Sequence, residues 1–156
     1  MKTLKDRAIL KGLCLPYQND WQDDNDLVSR YIRGVTWCMN HQFPSLEEMA
    51  EYDSELVEND VYNNKNVSHI LSGDTYIYNN CRGEIEIIDY SVSRAYIALD
   101  SLLKITAKGN SILYLDIFDN ANIQLVVEDS AYVSVNQYGN SSIQVIKGNA
   151  KIEDRR

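Results

Sequence analysis

No stretch of this 156-residue sequence approaches the roughly 18 consecutive apolar residues of a membrane-spanning helix, which excludes a helical span. The opening "MKTLKDRAILKGLCLPYQND" is basic, but Lys11 and Gly12 interrupt its apolar positions and no small-residue cleavage site follows. That speaks against a secretory signal and predicts a cytoplasmic protein. Cysteine is scarce and odd in number: Cys14, Cys38 and Cys81 are too widely spaced for a disulfide framework, which fits a reducing compartment. A Gly-rich phosphate loop is absent, and "SGDT" at Ser72 to Thr75 reads as a turn. From Gly73 onward the only threonines are Thr75 and Thr106, so the threonine ladders of an ice-binding solenoid are excluded. Bases are missing from one region altogether. Between Ser45 and Asp60 stand Glu47, Glu48, Glu51, Asp53, Glu55, Glu58 and Asp60 with no Lys or Arg. A phosphate backbone would be repelled there, which disfavours direct nucleic-acid binding; a solvated helix surface is the plain reading.

The length is that of about one domain, enough for a modest core and too little for a large enzyme. Apolar residues at 44% and charged residues at 24% are ordinary globular values, so the chain folds. The net charge of -8 is uneven: residues 1–80 hold 13 acidic against 7 basic side chains, residues 81–156 hold 10 against 8.

The first part reads as a helical cap region over residues 1–70. "DDNDLVSRYIRGVTWCMNHQ" begins with carboxylates suited to a helix N-terminus and places Leu27, Tyr31, Val35 and Cys38 on one face, flanked by Trp37. Pro44 prevents that helix from running on. Ser45 and Glu48 then form a capping box that opens a helix burying Leu46, Met49, Tyr52 or Asp53, and Leu56. Residues 59–66 read as a loop, and "HILSGDTYIY" as the first strand.

Over residues 71–156 the period changes to two and a ten-residue beat appears. Small residues recur at Ser91, Ser101, Ser111, Ala121, Ala131 and Ser141, then at Ala150 after one nine-residue step. Two positions on lie Leu103, Leu113, Ile123, Val133, Ile143 and Ile152; two further lie Ala95, Ile105, Leu115, Leu125, Val135 and Val145. A third inward position holds Ile97, Ala107, Ile117 and Val127 before turning polar at Gln137 and Lys147. A two-residue hairpin would shift the inward set by one at each turn, whereas here its parity is kept. We therefore expect an α+β, mainly β protein: a helical cap followed by a short β-solenoid of ten-residue rungs, two rungs per coil and about three to four coils. Three-residue hairpin loops would also keep parity, which leaves an antiparallel meander or sandwich as the alternative. A pentapeptide solenoid is excluded because the five-step partners of Leu103, Ile123 and Ile143 are Lys108, Glu128 and Gly148. A hexapeptide acyltransferase helix fails on its period of six.

"WCMNHQFPSLEE" followed by Asp-Asn-Ala and Gly-Asn-Ala rungs resembles small Bacteroides-type and prophage proteins in which a short helical segment precedes a ladder of such rungs. The resemblance spans Val35 to Glu48 and Val92 to Lys151. It implies the two-part layout and a mobile-element origin, and it carries over no catalytic residue.

Candidates for chemistry are few. Cys38 and His41 have C-x-x-H spacing, but Cys14 and His69 are the only distant partners, so a packed cysteine beside a loop histidine is expected and no metal. A Cys–His nucleophile pair lacks any local signature. Asp89, Asp100, Asp119 and Asp129 occupy turn words, where Asp suits the backbone; Asp116 points outward within a strand and alone supplies no acid/base pair. The outward positions say more. With a coil of twenty residues, Val92, Ile112 and Tyr132 form one column, Ala98, Phe118 and Tyr138 another, with Tyr96 and Tyr114 between them. The other face, with Leu102, Asn122 and Ser142, then Lys104, Gln124 and Gln144, is mostly polar. An exposed aromatic stripe calls for a partner unless the helical region covers it. We accordingly expect a non-enzymatic binding or assembly module without a cofactor. Its interface candidates are Tyr96, Tyr114, Phe118, Tyr132 and Tyr138, and its partner is another protein or a second and third copy of itself. The alternatives are a phage-encoded anti-defence protein that binds a host immune protein or sequesters a nucleotide signal, and a small carbohydrate-active hydrolase or lyase.

Overall fold

The computed structural model describes residues 2–23 and 26–156, and the chain divides into two compact units, Met1–Glu55 and Leu56–Arg156. Asp24 and Asn25, part of the acidic stretch expected at a helix start, lie outside the described residues.

The first unit is helical. Helix α1 (Leu4–Leu10) opens with a capping box in which Thr3 accepts from the Asp6 N–H and Asp6 accepts from the Thr3 N–H. Helix α2 (Leu15–Asp20) follows. The continuous helix expected after residue 26 is instead two, α3 (Leu27–Arg33) and α4 (Val35–His41). Gly34 sits at the break: its N–H closes α3 on the Arg30 carbonyl at 2.9 Å and its carbonyl opens α4 at the Cys38 N–H, also 2.9 Å. Glycine weakens a helix interior through its backbone freedom, which suits it to that break. Leu27, Tyr31, Val35 and Cys38 are all buried, as their spacing predicts. Helix α5 (Leu46–Met49) carries the expected box, with Ser45 N–H on the Glu48 carboxylate at 2.7 Å and Glu48 N–H on the Ser45 hydroxyl at 3.2 Å. A 3-10 turn (Ala50–Tyr52) separates it from α6 (Asp53–Glu58), which straddles the boundary between the units. Ala8, Trp21 and Phe43 make a small core with Leu4, Leu13 and Trp37 packed on it.

The second unit is a parallel β-solenoid. Its strands are β1 (Val61–Asn63), β2 (Asn66–Leu71), β3 (Thr75–Asn79), β4 (Arg82–Ile87), β5 (Val92–Ala98), β6 (Leu102–Ala107), β7 (Ile112–Ile117), β8 (Asn122–Val127), β9 (Tyr132–Gln137), β10 (Ser142–Lys147) and β11 (Lys151–Asp154). Odd strands stack into a six-stranded sheet, even strands into a five-stranded one, and every pairing is parallel. A meander would pair neighbours in sequence and run antiparallel, so the solenoid reading stands. The stack has about five coils rather than three to four. Strand β1 lies in the Asn- and Asp-rich stretch 59–66 expected to be a loop, and "HILSGDTYIY", expected to be one strand, holds the end of β2 and most of β3, parted at Ser72–Asp74.

Register explains the beat. Val92 pairs with Ile112 and Ile112 with Tyr132, twenty residues apart, so each coil adds one strand to each sheet. To reverse direction the backbone takes one left-handed residue per rung, at Asp89, Leu99, Gly109, Asp119, Asp129 and Gly139, each with φ between 53 and 70°. Asp and Gly tolerate that region, Leu does not. The small residue two places on sits inside the corner: Ser101, Ser111, Ala121 and Ser141 are buried. Side chains also tie one coil to the next: Asp119 and Asp129 carboxylates accept from the Leu99 and Gly109 N–H groups, both at 3.0 Å. Between the sheets Leu103, Ile105, Leu113, Leu115, Ile123, Leu125, Val133 and Val135 form the core. Lys147, expected on the inward set, is turned outward. A register shift after Val145 pairs it with Val126 and brings its ammonium 3.2 Å from Glu128, since burying an unpaired charge in the core is costly.

Candidate functional site

The outer face of the six-stranded sheet divides along the strands. Near the strand starts, Val92 (48% exposed), Tyr114 (38%) and Tyr132 (45%) stand in solvent with Ile112 half-buried among them. Further along, Ile77, Tyr96, Ala98, Asp116 and Phe118 are buried although their register places them outward. Tyr96 and Phe118 are therefore not available as exposed interface residues. Phe118 stacks flat on Tyr138 of the next coil, ring centroids 4.6 Å apart. Tyr138 is half-buried. Of the five interface candidates, Tyr114 and Tyr132 are the ones that project into solvent.

Arg94 organises the middle of this face. Its guanidinium lies over the Tyr96 ring at 5.9 Å and the Tyr114 ring at 5.6 Å, and it donates to the Tyr96 hydroxyl at 3.3 Å. That hydrogen bond is the main reason its pKa rises further. Arg94 Nε is 3.9 Å from Asp116, which accepts from the Asn136 side chain at 2.8 Å; Arg155 in turn donates to Asn136 at 3.3 Å. The outward carboxylate is thus held by an amide and a guanidinium. Tyr114 is fixed by packing on Arg94, which lowers the conformational entropy lost when a partner covers it. On the five-stranded sheet the outward rows Leu102–Asn122–Ser142 and Lys104–Gln124–Gln144 align in register and are exposed, a polar face as expected.

Cys38 and His41 share α4, but neither is poised for chemistry. Burial pushes the Cys38 thiol up to about 12, so it is protonated at neutral pH. His41 stacks on Trp37 at 4.3 Å with Nδ1 2.8 Å from the Trp37 carbonyl. Among the described residues no three His, Cys, Asp or Glu side chains are grouped to hold a metal. The turn aspartates Asp100 and Asp119 are engaged in the corner ladder.

One further cluster joins Tyr62, from the stretch read as a loop, to His69 and Tyr78, from the stretch read as the first strand. In β2 the alternation Val67, His69, Leu71 turns His69 inward, where its ring meets Tyr62 at 4.5 Å and its Nδ1 lies 3.1 Å from the Tyr78 hydroxyl. That alternation was the available signal, and it was read only from His69 onward because the Asn residues before it suggest a loop.

A helical segment followed by a two-sheet parallel β-solenoid is the class that the fold defines. No protein-family model, no curated protein and no solved structure matches this chain. No helix among the described residues is long and apolar enough to cross a membrane.

Proposed function

We propose that this protein is a non-enzymatic binding and assembly module that acts through the exposed half of its six-stranded sheet. The observation that carries the reading is the strip of Val92, Ile112, Tyr114 and Tyr132 on a face whose backbone is locked by parallel pairing on both sides. Such a strip offers aromatic area at small entropic cost, and aromatic side chains are enriched at the centres of protein interfaces. Self-association into a small closed oligomer, a dimer or trimer, is the favoured use of the strip. The resemblance to Bacteroides-type and prophage proteins supports a mobile-element origin, and a cytoplasmic setting suits the three free cysteines.

The test is light scattering on the parent and on a Tyr114→Asp, Tyr132→Asp double variant. Both substitutions are at solvent-exposed sites, so circular dichroism is expected to be unchanged. A parent that is oligomeric and a folded variant that is monomeric support the reading. A parent that is monomeric and captures no protein from its native host, or a folded variant that stays oligomeric, refutes it.

A further inference from the structure

The first coil of the solenoid is filled differently from the rest. Its register steps are shorter, Val61 pairing with Ile77 and Asn66 with Arg82, sixteen residues apart. Inside it, flat rings pack beside the branched aliphatics Val67 and Leu71. Tyr62 and Tyr78 are register partners with stacked rings 5.4 Å apart, and the His69 ring lies against both, 4.5 Å from Tyr62 and 5.9 Å from Tyr78. Tyr78 is fully buried, and His69 Nδ1 at 3.1 Å is what meets its hydroxyl.

A neutral imidazole has one donating and one accepting nitrogen and so can satisfy that hydroxyl. A protonated ring donates from both, which leaves the Tyr78 O–H without its acceptor and places a charge in a half-buried position. The groups around His69 offer little compensation. From β1 comes Tyr62, with Asp60 just before it 3.2 Å from the Tyr62 hydroxyl. From β3 come Tyr76 and Tyr78, and before β4 comes Cys81, whose thiol lies 3.2 Å from the Tyr62 carbonyl. Lys65, in the turn between β1 and β2, acts on the Cys81 thiol. Beside His69 in the ladder β4 presents Ile85. Burial keeps the Tyr62 and Tyr78 hydroxyls protonated, and it lowers the His69 pKa by more than the Asp60 carboxylate raises it. Both strands of this coil are also terminal in their sheets, β1 next to β3 and β2 next to β4, so they can leave without parting any other pair.

We infer that the first coil is an acid-sensitive latch, in which protonation of His69 opens β1 and β2 while the coils from β5 onward stay closed. The opened coil binds the proton more tightly than the closed one. Closure is therefore fully favoured above the ordinary histidine value of about 6.5 and weakens as pH falls below it. Release of the coil would uncover the edges of β3 and β4, and unpaired edges recruit other strands.

Hydrogen–deuterium exchange across this pH range, corrected for the intrinsic chemical rate, reads the latch directly. We expect the opening constant of residues 61–71 to rise by up to about tenfold per pH unit below about 6.5, the limit for one coupled proton. Strands β6 to β9 are expected to keep their protection. His69→Gln and His69→Phe are expected to remove the pH dependence of 61–71. Protection of 61–71 that is flat with pH in the parent, or a dependence that survives in either folded variant, overturns the inference. If neither variant folds, the imidazole titration of the parent by NMR decides: a His69 pKa below the ordinary value supports the latch, and one at or above it overturns it.

Discussion

Leu125→Ala is the most direct test of how the solenoid is held together. Leu125 lies in β8, fully buried, with Ile105 below it and Val145 above it in the ladder. Truncation removes three carbons from the middle of the stack, and parallel pairing on both sides prevents β8 from moving in to fill the space. Core Leu→Ala changes cost about 2–5 kcal/mol, and a site that collapses poorly belongs in the upper part of that range. At about 4–8 °C per kcal/mol for a unit of about 100 residues, a loss of roughly 4 kcal/mol lowers the melting temperature by roughly 16–32 °C. The neighbouring Gln124 is exposed on the polar face, and Gln124→Ala is expected to stay within about 0.5 kcal/mol of the parent. Thermal and urea melts of the three proteins suffice. Because each coil is stabilised by its neighbours, a central cavity is also expected to weaken the coupling between the two ends and reduce the urea m-value. The reasoning is refuted if Leu125→Ala melts like the parent while Gln124→Ala does not.

Two further outcomes concern the corners and the first unit. Leu99 holds a left-handed φ of 60° where Asp or Gly stands in the other coils, so Leu99→Asn is expected to raise stability by up to about 1 kcal/mol; a lower melting temperature would show that the half-buried leucine contributes more through packing than its backbone loses. Elemental analysis of protein purified without added metal is expected to show no stoichiometric zinc, and one zinc per chain lost on Cys38→Ser would revive a Cys38–His41 site.

Much of the architecture is legible in local chemistry, because both of its periods are local. The capping box at Ser45 and Glu48 needs two residues three apart, and the ten-residue beat needs a left-handed residue followed by a small one, so neither depends on distant contacts. Parity of the inward set then separates parallel coils from two-residue hairpins. The break at Gly34, strand β1 and the division of "HILSGDTYIY" between two strands were not legible. A glycine within an apolar stripe is compatible with a continuous helix, and Asn-rich strands join a sheet only because β3 and β4 offer them a template. The site divides in the same way. That Tyr96, Tyr114, Phe118, Tyr132 and Tyr138 occupy outward columns follows from counting by twenty. Which of them meet solvent was decided by tertiary structure: Phe118 and Tyr96 are buried, whereas Tyr114 and Tyr132 are exposed. Exposure depends on what packs over a side chain from other coils, and no one-dimensional pattern records that. The ring cluster at His69 is the same lesson at the core: His69 stands in a stretch read as a strand, but its meeting with Tyr62 and Tyr78 follows from the stacking of β1 on β3, which the sequence pattern does not record.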